Sequence, residues 1–398
     1  MASPSTDLSG ETIVQVIPAL EQGGAERTTL EIARAVVAAG GRSLVVSEGG
    51  GLVPRLQAEG SCHVRLPVGS KNPAALLPNK KRLAALIADA GARIVHARSR
   101  APAWPALMAA RQEGAFFVTT YHGAYGGKTK LKRLYNSVMA RGDVVIANSA
   151  YTEQAIREAF AGWRVLEGRR IITIPRGADI DDFAAGAVSE DRLRAAMQAF
   201  GGEDAFRVLL PGRLTEWKGQ RVLIEAARLL HDGGDIPALR VVLAGATQGR
   251  EAYEGELRRM IGEAGLSDVV HLAGAWDDMP AAYLWSDVAV SASTRPEAFG
   301  RVGVEAMACG RPVVASAHGG SLETVEDGAT GLLVPPGDAG RLADALLSLA
   351  ADPARRAAMG DAGAAHVRTR FSTEAMTDAT LRVYRDLLSG GHVPRKGS

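Results

Sequence analysis

Short β-branched runs alternate with longer segments of helical period along nearly the whole chain. The first half predicts seven strands, at 12–17, 43–47, 63–67, 93–96, 116–121, 144–147 and 171–174. The second half predicts six more, at 208–211, 240–244, 269–272, 288–291, 312–316 and 332–334. Between them lie predicted helices such as 26–39, 80–90, 220–231 and 340–350. This alternation is typical of βαβ units, and it predicts parallel sheets with helices on both faces.

The number of strands predicts two domains, because thirteen strands are too many for one ordinary open sheet. A stretch rich in Gly, Asp and Ala at 177–203 separates the two groups of strands. We therefore expect one doubly wound domain at 1–190 and a second at 191–372. A final helix at 373–390 either packs back on the first domain or ends the second. Ligands of such folds bind beyond the carboxyl ends of the strands, so the cleft between the domains is the expected site.

Composition agrees with a soluble globular protein rather than a disordered or membrane-spanning one. Of the 398 residues, 46% are hydrophobic and 23% are charged. No run reaches the roughly 18 apolar residues that span a bilayer, and the polar first residues do not resemble a secretory signal. Cys62 and Cys309 are too few for a disulfide framework. The sequence therefore predicts a cytoplasmic protein.

The loop after the strand at 208–211 carries a pair of cations. It begins at Gly212 and ends at Gly219, and it contains Arg213 and Lys218. An arginine offers a planar fork to phosphate and a lysine offers a compact charge, a suitable pair for a diphosphate without a metal. The alternative is a solvated loop. Lys218 is the only lysine between residues 133 and 395 of a chain that otherwise prefers arginine, which favours a function.

A second signal lies at 295–310, where two carboxylates flank the predicted start of a helix. Glu297 and Glu305 are separated by seven residues, with Gly300 between them. A helix start presents free N–H groups to phosphate, and the carboxylates can accept hydrogen bonds from sugar hydroxyls. Glu305 could instead be a capping or solvent residue. Its apolar neighbours Val304 and Met307 favour a buried position.

Three other motifs carry weaker signals. The pair Gly23-Gly24 opens a helix after the first strand, but such a pair is more often only a turn. The segment 123–129 lacks the spacing of a phosphate-binding P-loop. Asp179 and Asp181 have the spacing of a carboxylate metal site, but they lie where Asp is ordinary turn chemistry. We assign no nucleotide triphosphate or metal site to the last two.

The ordered set of motifs closely resembles the family 4 retaining glycosyltransferases of the GT-B fold, which have two Rossmann-like domains facing a central cleft. The resemblance covers most of the chain, and it implies that the final helix at 373–390 crosses back to pack on the first domain. The motifs are Gly23-Gly24-Ala25-Glu26, Tyr121-His122-Gly123, Asn148-Ser149, Ile174-Pro175-Arg176-Gly177-Ala178-Asp179, Gly212-Arg213-Leu214, Lys218-Gly219, Glu297 with Glu305, Ala308-Cys309-Gly310-Arg311-Pro312-Val313-Val314, Gly319-Gly320, Glu323 and Gly331-Leu332-Leu333-Val334. The chain departs from the commoner family pattern at Arg176, where relatives usually carry Asn.

The resemblance implies a role for each matching residue. The implied catalytic group is His122, Arg213, Lys218 and Glu297, with His122 beside the transferring sugar. Its structural alternative is a satisfied histidine at a strand end. The implied donor-binding residues are Gly23, Gly24, Gly212, Arg213, Lys218, Phe299, Gly300, Arg301, Val302 and Glu305. Among these, Glu305 would bind the donor ribose.

The resemblance also implies the reaction. A hexose-type sugar would pass from a nucleotide-diphosphate sugar to a lipid-linked or glycan acceptor with retention of configuration, without a metal or other cofactor. The setting would be bacterial cell-envelope polysaccharide or lipopolysaccharide synthesis. We see no evident covalent nucleophile, which favours front-face attack by the acceptor hydroxyl. The alternatives are a non-catalytic nucleotide-sugar sensor on the same fold and a transferase acting on a soluble anionic acceptor.

The overall charge of +2 conceals a strongly basic segment. Residues 61–142 hold fourteen Lys or Arg and only two acids, a net charge of +12. Within it, Leu131, Leu134, Tyr135, Val138 and Met139 follow a helical period and predict one apolar face beside Lys128, Lys130, Lys132 and Arg133. One interpretation is a surface that docks on the anionic inner face of the cytoplasmic membrane. The other is a core-facing helix with a solvated basic side. Because no nucleic-acid-binding motif interleaves aromatics with these charges, we predict no nucleic-acid partner.

Overall fold

The computed structural model describes residues 7–21, 23–70, 72–123, 125, 129–234 and 236–390, except the side chain of Ala185. It divides into two units. The first comprises the chain up to Gly177 together with the segment from Thr373, and the second comprises Ala178–Ser372.

The first unit is built on a seven-stranded sheet in the order β3-β2-β1-β4-β5-β6-β7, with every pair parallel. Its strands are β1 (Thr12–Val16), β2 (Arg42–Ser47), β3 (Cys62–Arg65), β4 (Ile94–Ala97), β5 (Phe116–Tyr121), β6 (Val144–Ala147) and β7 (Arg170–Thr173). Its helices are α1 (Gly24–Ala38), α2 (Val53–Ala58), α3 (Leu76–Ala90), α4 (Arg100–Glu113), α5 (Lys130–Asn136) and α6 (Ala150–Ala159).

The second unit is built on a six-stranded parallel sheet in the order β10-β9-β8-β11-β12-β13. Its strands are β8 (Phe206–Pro211), β9 (Leu239–Ala244), β10 (Val270–Gly274), β11 (Val288–Ser291), β12 (Val313–Ser316) and β13 (Gly331–Val334). Its helices are α7 (Ile180–Phe183), α8 (Glu190–Phe200), α9 (Gln220–Gly233), α10 (Glu251–Glu263), α11 (Met279–Trp285), α12 (Arg301–Ala308), α13 (Ser321–Thr324), α14 (Ala339–Ala351) and α15 (Pro353–Arg370).

All thirteen predicted strands are present, and each sheet is parallel as the βαβ pattern predicts. The central strands β1, β4, β6, β11 and β12 are buried at every position, which explains their continuous apolar runs. The two Rossmann-like α/β units confirm the predicted fold class.

The boundary between the units falls at residue 177, not at residue 190 as the composition suggested. The reason is packing. The Ala178 N–H donates to the Phe371 carbonyl oxygen (2.8 Å), and Ile180 is buried in a cluster with Phe299 and Phe371. Residues 178–190 therefore belong to the second unit, although their composition resembles that of a linker.

The final helix, α16 (Thr373–Ser389), belongs to the first unit. Its buried side chains join a core formed with β1, β4, β5 and β6. The hydroxyl of Tyr384 lies 2.6 Å from Nδ1 of the buried His96 on β4, whose Nε2 lies 2.7 Å from Oγ1 of Thr120. Polar contacts as well as apolar packing thus hold α16 to the sheet.

Candidate functional site

In the second unit, the loop between β8 and α9 brings Lys218 to a carboxylate. A 3-10 turn at Glu216–Lys218 directs the side chain so that Nζ lies 2.9 Å from Oε1 of Glu297. The Lys218 and Glu297 side chains are only 14% and 13% exposed. Ser293 donates its hydroxyl hydrogen to the same Oε1. The ammonium is thus fixed by a partner 79 residues away in the sequence.

The backbone around Glu297 is held by a second loop. The Gly320 N–H donates to the Glu297 carbonyl oxygen (2.8 Å). A side chain at position 320 would meet the backbone, because an added Cβ would lie 2.4 Å from Cα of Phe299. The glycine therefore allows the two loops to pack closely and fixes the approach to α12, which follows Gly300.

Glu305 lies inside this structure rather than on its surface. It is 7% exposed on α12 and accepts hydrogen bonds from the Tyr283 hydroxyl (3.0 Å) and from the Arg301 guanidinium. Burial, followed by the adjacent Glu305, raises the pKa of Tyr283 well above its ordinary value, so the hydroxyl keeps its proton. This arrangement rules out the solvent-facing alternative for Glu305.

Arg213 has a different environment. It is exposed, and its Nη1 lies 3.4 Å from Oε1 of Gln248. The Arg213 backbone is fixed, because its carbonyl oxygen accepts a hydrogen bond from Gln220 Nε2 (3.0 Å). The guanidinium itself has room to reach a ligand.

Sequence reasoning found Lys218, Glu297 and Glu305 but missed the groups that hold them. Ser293 follows β11 by two residues, a position at the carboxyl end of a strand that could have marked it. No sequence pattern marks Tyr283, because its role is to hold Glu305 through a tertiary contact between α11 and α12. Phe299 and Val302 pack in apolar clusters, which leaves only their backbone groups for a ligand.

In the first unit, His122 lines a small pocket, with Arg98, Asn148 and Arg176 among its other walls. Its Nε2 has no hydrogen-bond partner among the described residues, so His122 is not a satisfied strand-end histidine. Burial, with the positive charges of Arg98 and Arg176, holds the pKa of His122 well below its usual range. The imidazole is therefore neutral at physiological pH.

Gly24 is in contact with Arg176, the residue at which the chain departs from the commoner family pattern. Arg176 donates from Nη2 to the Gly24 carbonyl oxygen (2.9 Å), and a Cβ at position 24 would lie 2.4 Å from that guanidinium. At Gly23 an added Cβ would meet only the flexible Glu26 carboxylate. The departure from the family pattern at Arg176 thus places a guanidinium directly over the glycine pair.

The predicted apolar face at 131–139 is not continuous, so that prediction is wrong. Helix α5 ends at Asn136, and a 3-10 turn at Ser137–Arg141 follows. Val138 and Met139 are fully buried, whereas Leu131, Leu134 and Tyr135 are 77%, 47% and 37% exposed. The change of helix type turns the two halves of the pattern in different directions.

The basic residues of this region also divide into two groups. Lys130 and Lys132 are exposed beside the apolar tip. Arg133 instead donates from Nη2 to the Ala159 carbonyl oxygen (2.6 Å) and stacks over the Trp163 ring. Lys128 lies outside the described residues.

Metal-binding clusters and membrane-spanning helices are both absent from the described part of the chain. Within it, no group of three or more His, Cys, Asp or Glu side chains is arranged to hold a metal ion. Among the same residues, no helix combines the length and apolarity needed to cross a bilayer.

Family models match both units of the chain. Residues 22–182 match the model of Glycosyltransferase Family 4, and residues 196–366 match that of Glycosyl transferases group 1. A monoacylated α-(1-6)-phosphatidylinositol monomannoside mannosyltransferase of Corynebacterium glutamicum, named as GDP-mannose-dependent, is 34% identical over 70% of this chain and 73% of its own length. The first curated relatives that the chain matches are D-inositol 3-phosphate glycosyltransferases, and it spans between 48% and 60% of their length.

Solved structures agree with the sequence comparisons. A glycosyltransferase of Rickettsia africae is 31% identical, with a TM-score of 0.86 over 96% of this chain and 99% of that one. The Anabaena protein HepE, solved in complex with UDP, is 25% identical, with a TM-score of 0.80 over 94% of this chain and 99% of that one. The chain therefore belongs to the family 4, or group 1, glycosyltransferases with the GT-B fold.

Proposed function

We propose that the chain is a retaining, metal-independent glycosyltransferase that moves a hexose-type sugar from a nucleotide-diphosphate sugar to a lipid-linked or glycan acceptor. The setting we propose is cell-envelope polysaccharide or lipopolysaccharide synthesis. The observation that carries the proposal is the ion pair of Lys218 with Glu297, next to a helix start and the buried Glu305.

Lys218 and Arg213 supply the charge that the reaction needs. Departure of a nucleoside diphosphate turns its terminal phosphate from a monoanion into a dianion, and a pre-placed ammonium stabilises the added negative charge without reorganising water. Lys218 is held near the start of α12, where free N–H groups favour phosphate. The exposed Arg213 closes on the diphosphate from the other side of the loop.

Glu305 and Glu297 recognise hydroxyl groups. Tyr283 and Arg301 donate to Glu305, and its remaining lone pairs accept from the donor ribose. Glu297 holds Lys218 and accepts from the transferred sugar. Because we assign no side chain the role of covalent nucleophile, the acceptor hydroxyl attacks from the face of the leaving phosphate, and a phosphate oxygen takes its proton.

Two relatives support the donor class. HepE was solved with UDP, and the Corynebacterium mannosyltransferase is named for GDP-mannose. The name of the latter also describes a lipid-linked acceptor, which supports our choice of acceptor. The exposed apolar tip formed by Leu131, Leu134 and Tyr135, flanked by Lys130 and Lys132, supports a peripheral contact with anionic membrane.

The test begins with a thermal-shift panel of UDP-, GDP- and ADP-sugars, since a ligand at 100 times its Kd adds about 2.7 kcal/mol of stability. With the best donor, we expect Lys218→Ala and Glu305→Ala each to lower turnover about 10²-fold or more. Arg259→Ala and Glu263→Ala are matched controls, because both side chains lie exposed on the second unit. Near-normal turnover in either site variant contradicts the assignment.

The same panel separates a transferase from a non-catalytic sensor. A transferase slowly hydrolyses its donor when acceptor is absent, because water can replace the acceptor hydroxyl. We therefore expect release of nucleoside diphosphate by the wild-type protein and loss of that release in Lys218→Ala. Tight donor binding with no turnover of any kind would favour the sensor.

A further inference from the structure

Four neighbouring strands of the first unit are each followed by a polar side chain that lines one pocket. Arg98 directly follows β4, His122 follows β5, Asn148 follows β6, and Arg176 lies three residues after β7. The strands are parallel and adjacent in the sheet, so their carboxyl ends share one edge. We call this the Arg98 pocket.

Arg98 is a buried arginine with side-chain nitrogens that are unpartnered within the described part of the chain. It is 2% exposed, and its Nε and Nη2 have no hydrogen-bond partner among the described residues. Burial lowers its pKa to about 10, against weaker opposing effects of Tyr384 and Glu31, so the guanidinium stays charged at neutral pH. A buried guanidinium with two of its three nitrogens unpaired is unfavourable, because proteins normally satisfy the hydrogen bonds of a buried charge.

The other walls of the Arg98 pocket do not neutralise it. Arg176 adds a second guanidinium, held in place by the Gly24 carbonyl oxygen. His122 is neutral, and its Nε2 has no partner among the described residues; the same is true of Oδ1 of Asn148. The side-chain amide of Asn148 can present its N–H₂ to the pocket by a simple flip. The pocket is thus positive and holds unused hydrogen-bonding groups.

We propose that the Arg98 pocket binds an oxyanion, a phosphate or carboxylate group, carried by the acceptor. Guanidinium groups bind such oxyanions through paired, charge-assisted hydrogen bonds. This assignment rests on the proposed function and narrows its acceptor to an anionic one. The oxyanion supplies the hydrogen-bond acceptors that the described residues do not give to Nε and Nη2 of Arg98.

Gly24 offers a way to disturb the pocket without removing a charge. A methyl group at position 24 would occupy the space of the Arg176 guanidinium and displace it. Gly24→Ala and Arg176→Asn should therefore weaken oxyanion binding in the same direction, although one removes an arginine and the other does not.

The experiment is a titration of the full chain with inorganic phosphate and, separately, with acetate, followed by the ¹⁵N signals of arginine Nε. We expect the Arg98 and Arg176 signals to shift and saturate with at least one of the two anions, and the Arg176 signal reports binding in Arg98→Gln. Arg98→Gln and Arg176→Asn should each weaken that binding about tenfold or more. Gly24→Ala tests the same point if Arg98→Gln fails to fold. Arg259→Gln, at an exposed position in the second unit, should leave oxyanion binding unchanged.

The source of the oxyanion is identified by two further ligands. Glucose 6-phosphate represents a soluble acceptor, and vesicles containing phosphatidylinositol represent a lipid headgroup. If one of these two ligands binds and its binding depends on Arg98, the proposal is supported and that ligand shows whether the oxyanion comes from a soluble acceptor or from a lipid headgroup. Anion binding that is absent in the wild type, or equal in wild type and Arg98→Gln, overturns the proposal.

A measurement of donor binding distinguishes a failure of the Arg98 pocket proposal from a failure of the proposed function. The Kd of the donor nucleotide, measured by calorimetry, should not change in Arg98→Gln, because Arg213, Lys218 and Glu305, which we propose hold the diphosphate and the ribose, lie in the second unit. If no nucleotide-sugar binds or turns over in the wild type, the proposed function fails. If the donor binds normally and Arg98→Gln leaves oxyanion binding intact, only the Arg98 pocket fails.

Discussion

The Tyr283 hydroxyl donates a 3.0 Å hydrogen bond to Oε2 of Glu305, and both side chains are buried. The contact joins α11 to α12 and fixes the carboxylate before any ligand arrives. Since Arg301 occupies the other oxygen, the orientation of Glu305 is set by the protein alone.

Tyr283→Phe should weaken donor binding without abolishing it. The change removes one hydrogen bond to a carboxylate and leaves the ring packing intact, so we expect an increase in donor Kd of about threefold to tenfold. Calorimetry with the preferred nucleotide-sugar measures this. Tyr384→Phe, which removes a buried hydroxyl in the first unit, should leave the Kd unchanged. An equal effect of the two variants would mean that only global stability had changed.

The Lys218–Glu297 pair should show energetic coupling in a double-mutant cycle. Removing one partner leaves the other charge mostly buried, whereas removing both does not, so Lys218→Ala and Glu297→Ala together should cost less than their sum. We expect a coupling of about 0.5–3 kcal/mol in the free energy of unfolding by urea. The pair Arg259–Glu263, with side chains 60% and 62% exposed, provides the control and should couple by about 0.5 kcal/mol or less. Additive effects at Lys218 and Glu297 would show that the ion pair is not formed in solution.

Stability should fall as the pH drops below about 6.5, the ordinary pKa of histidine. Burial, with Arg98 and His122 nearby, holds the pKa of His96 well below that value in the folded protein. The unfolded chain therefore binds a proton that the folded chain does not, and acid favours unfolding between those two pKa values.

His96→Gln should reduce this pH dependence by up to about 1.4 kcal/mol per pH unit, although it lowers stability at neutral pH. Urea unfolding at several pH values between 5 and 8 measures the slope. His231→Gln, at an exposed position, should keep the wild-type slope. An unchanged slope in His96→Gln would show that the buried imidazole does not titrate as described.

The apolar tip of α5 should bind anionic vesicles. We expect the protein to float with phosphatidylglycerol liposomes at physiological salt, and Leu131→Ser with Leu134→Ser to reduce the bound fraction, because both side chains are exposed beside two lysines. Leu322→Ser, a change at a leucine 57% exposed on the second unit, is the control. No flotation of the wild type rejects the membrane contact.

The alternation of short β-branched runs with longer segments of helical period was sufficient to predict every strand, because central parallel strands must be apolar on both faces. It could not place the unit boundary, since the segment at Asp179 resembles a linker and is held only by contacts with Phe371 and its neighbours. Nor could it show that Val138 turns inward while Leu134 does not, because a helical period contains no signal for a 3-10 turn.

The candidate site shows the same limit. Lys218, Glu297 and Glu305 lie in recognisable loops, so residue type and position revealed them. Arg98 and Tyr283 did not stand out, because an arginine after a strand and a tyrosine in a helix are both ordinary. Arg98 is distinguished by being buried with nitrogens unpartnered among the described residues, and Tyr283 by its buried hydrogen bond to Glu305. Both properties depend on tertiary structure.

The return of α16 to the first sheet has a consequence for synthesis on the ribosome. Tyr384 and its neighbours on α16 can contact His96 and the apolar face of β1 only after the whole second unit has been translated. The second unit, continuous from Ala178 to Ser372, can complete its core earlier. The half of the protein made first is therefore the half that completes its core last, and the part of its sheet that α16 covers stays uncovered until then.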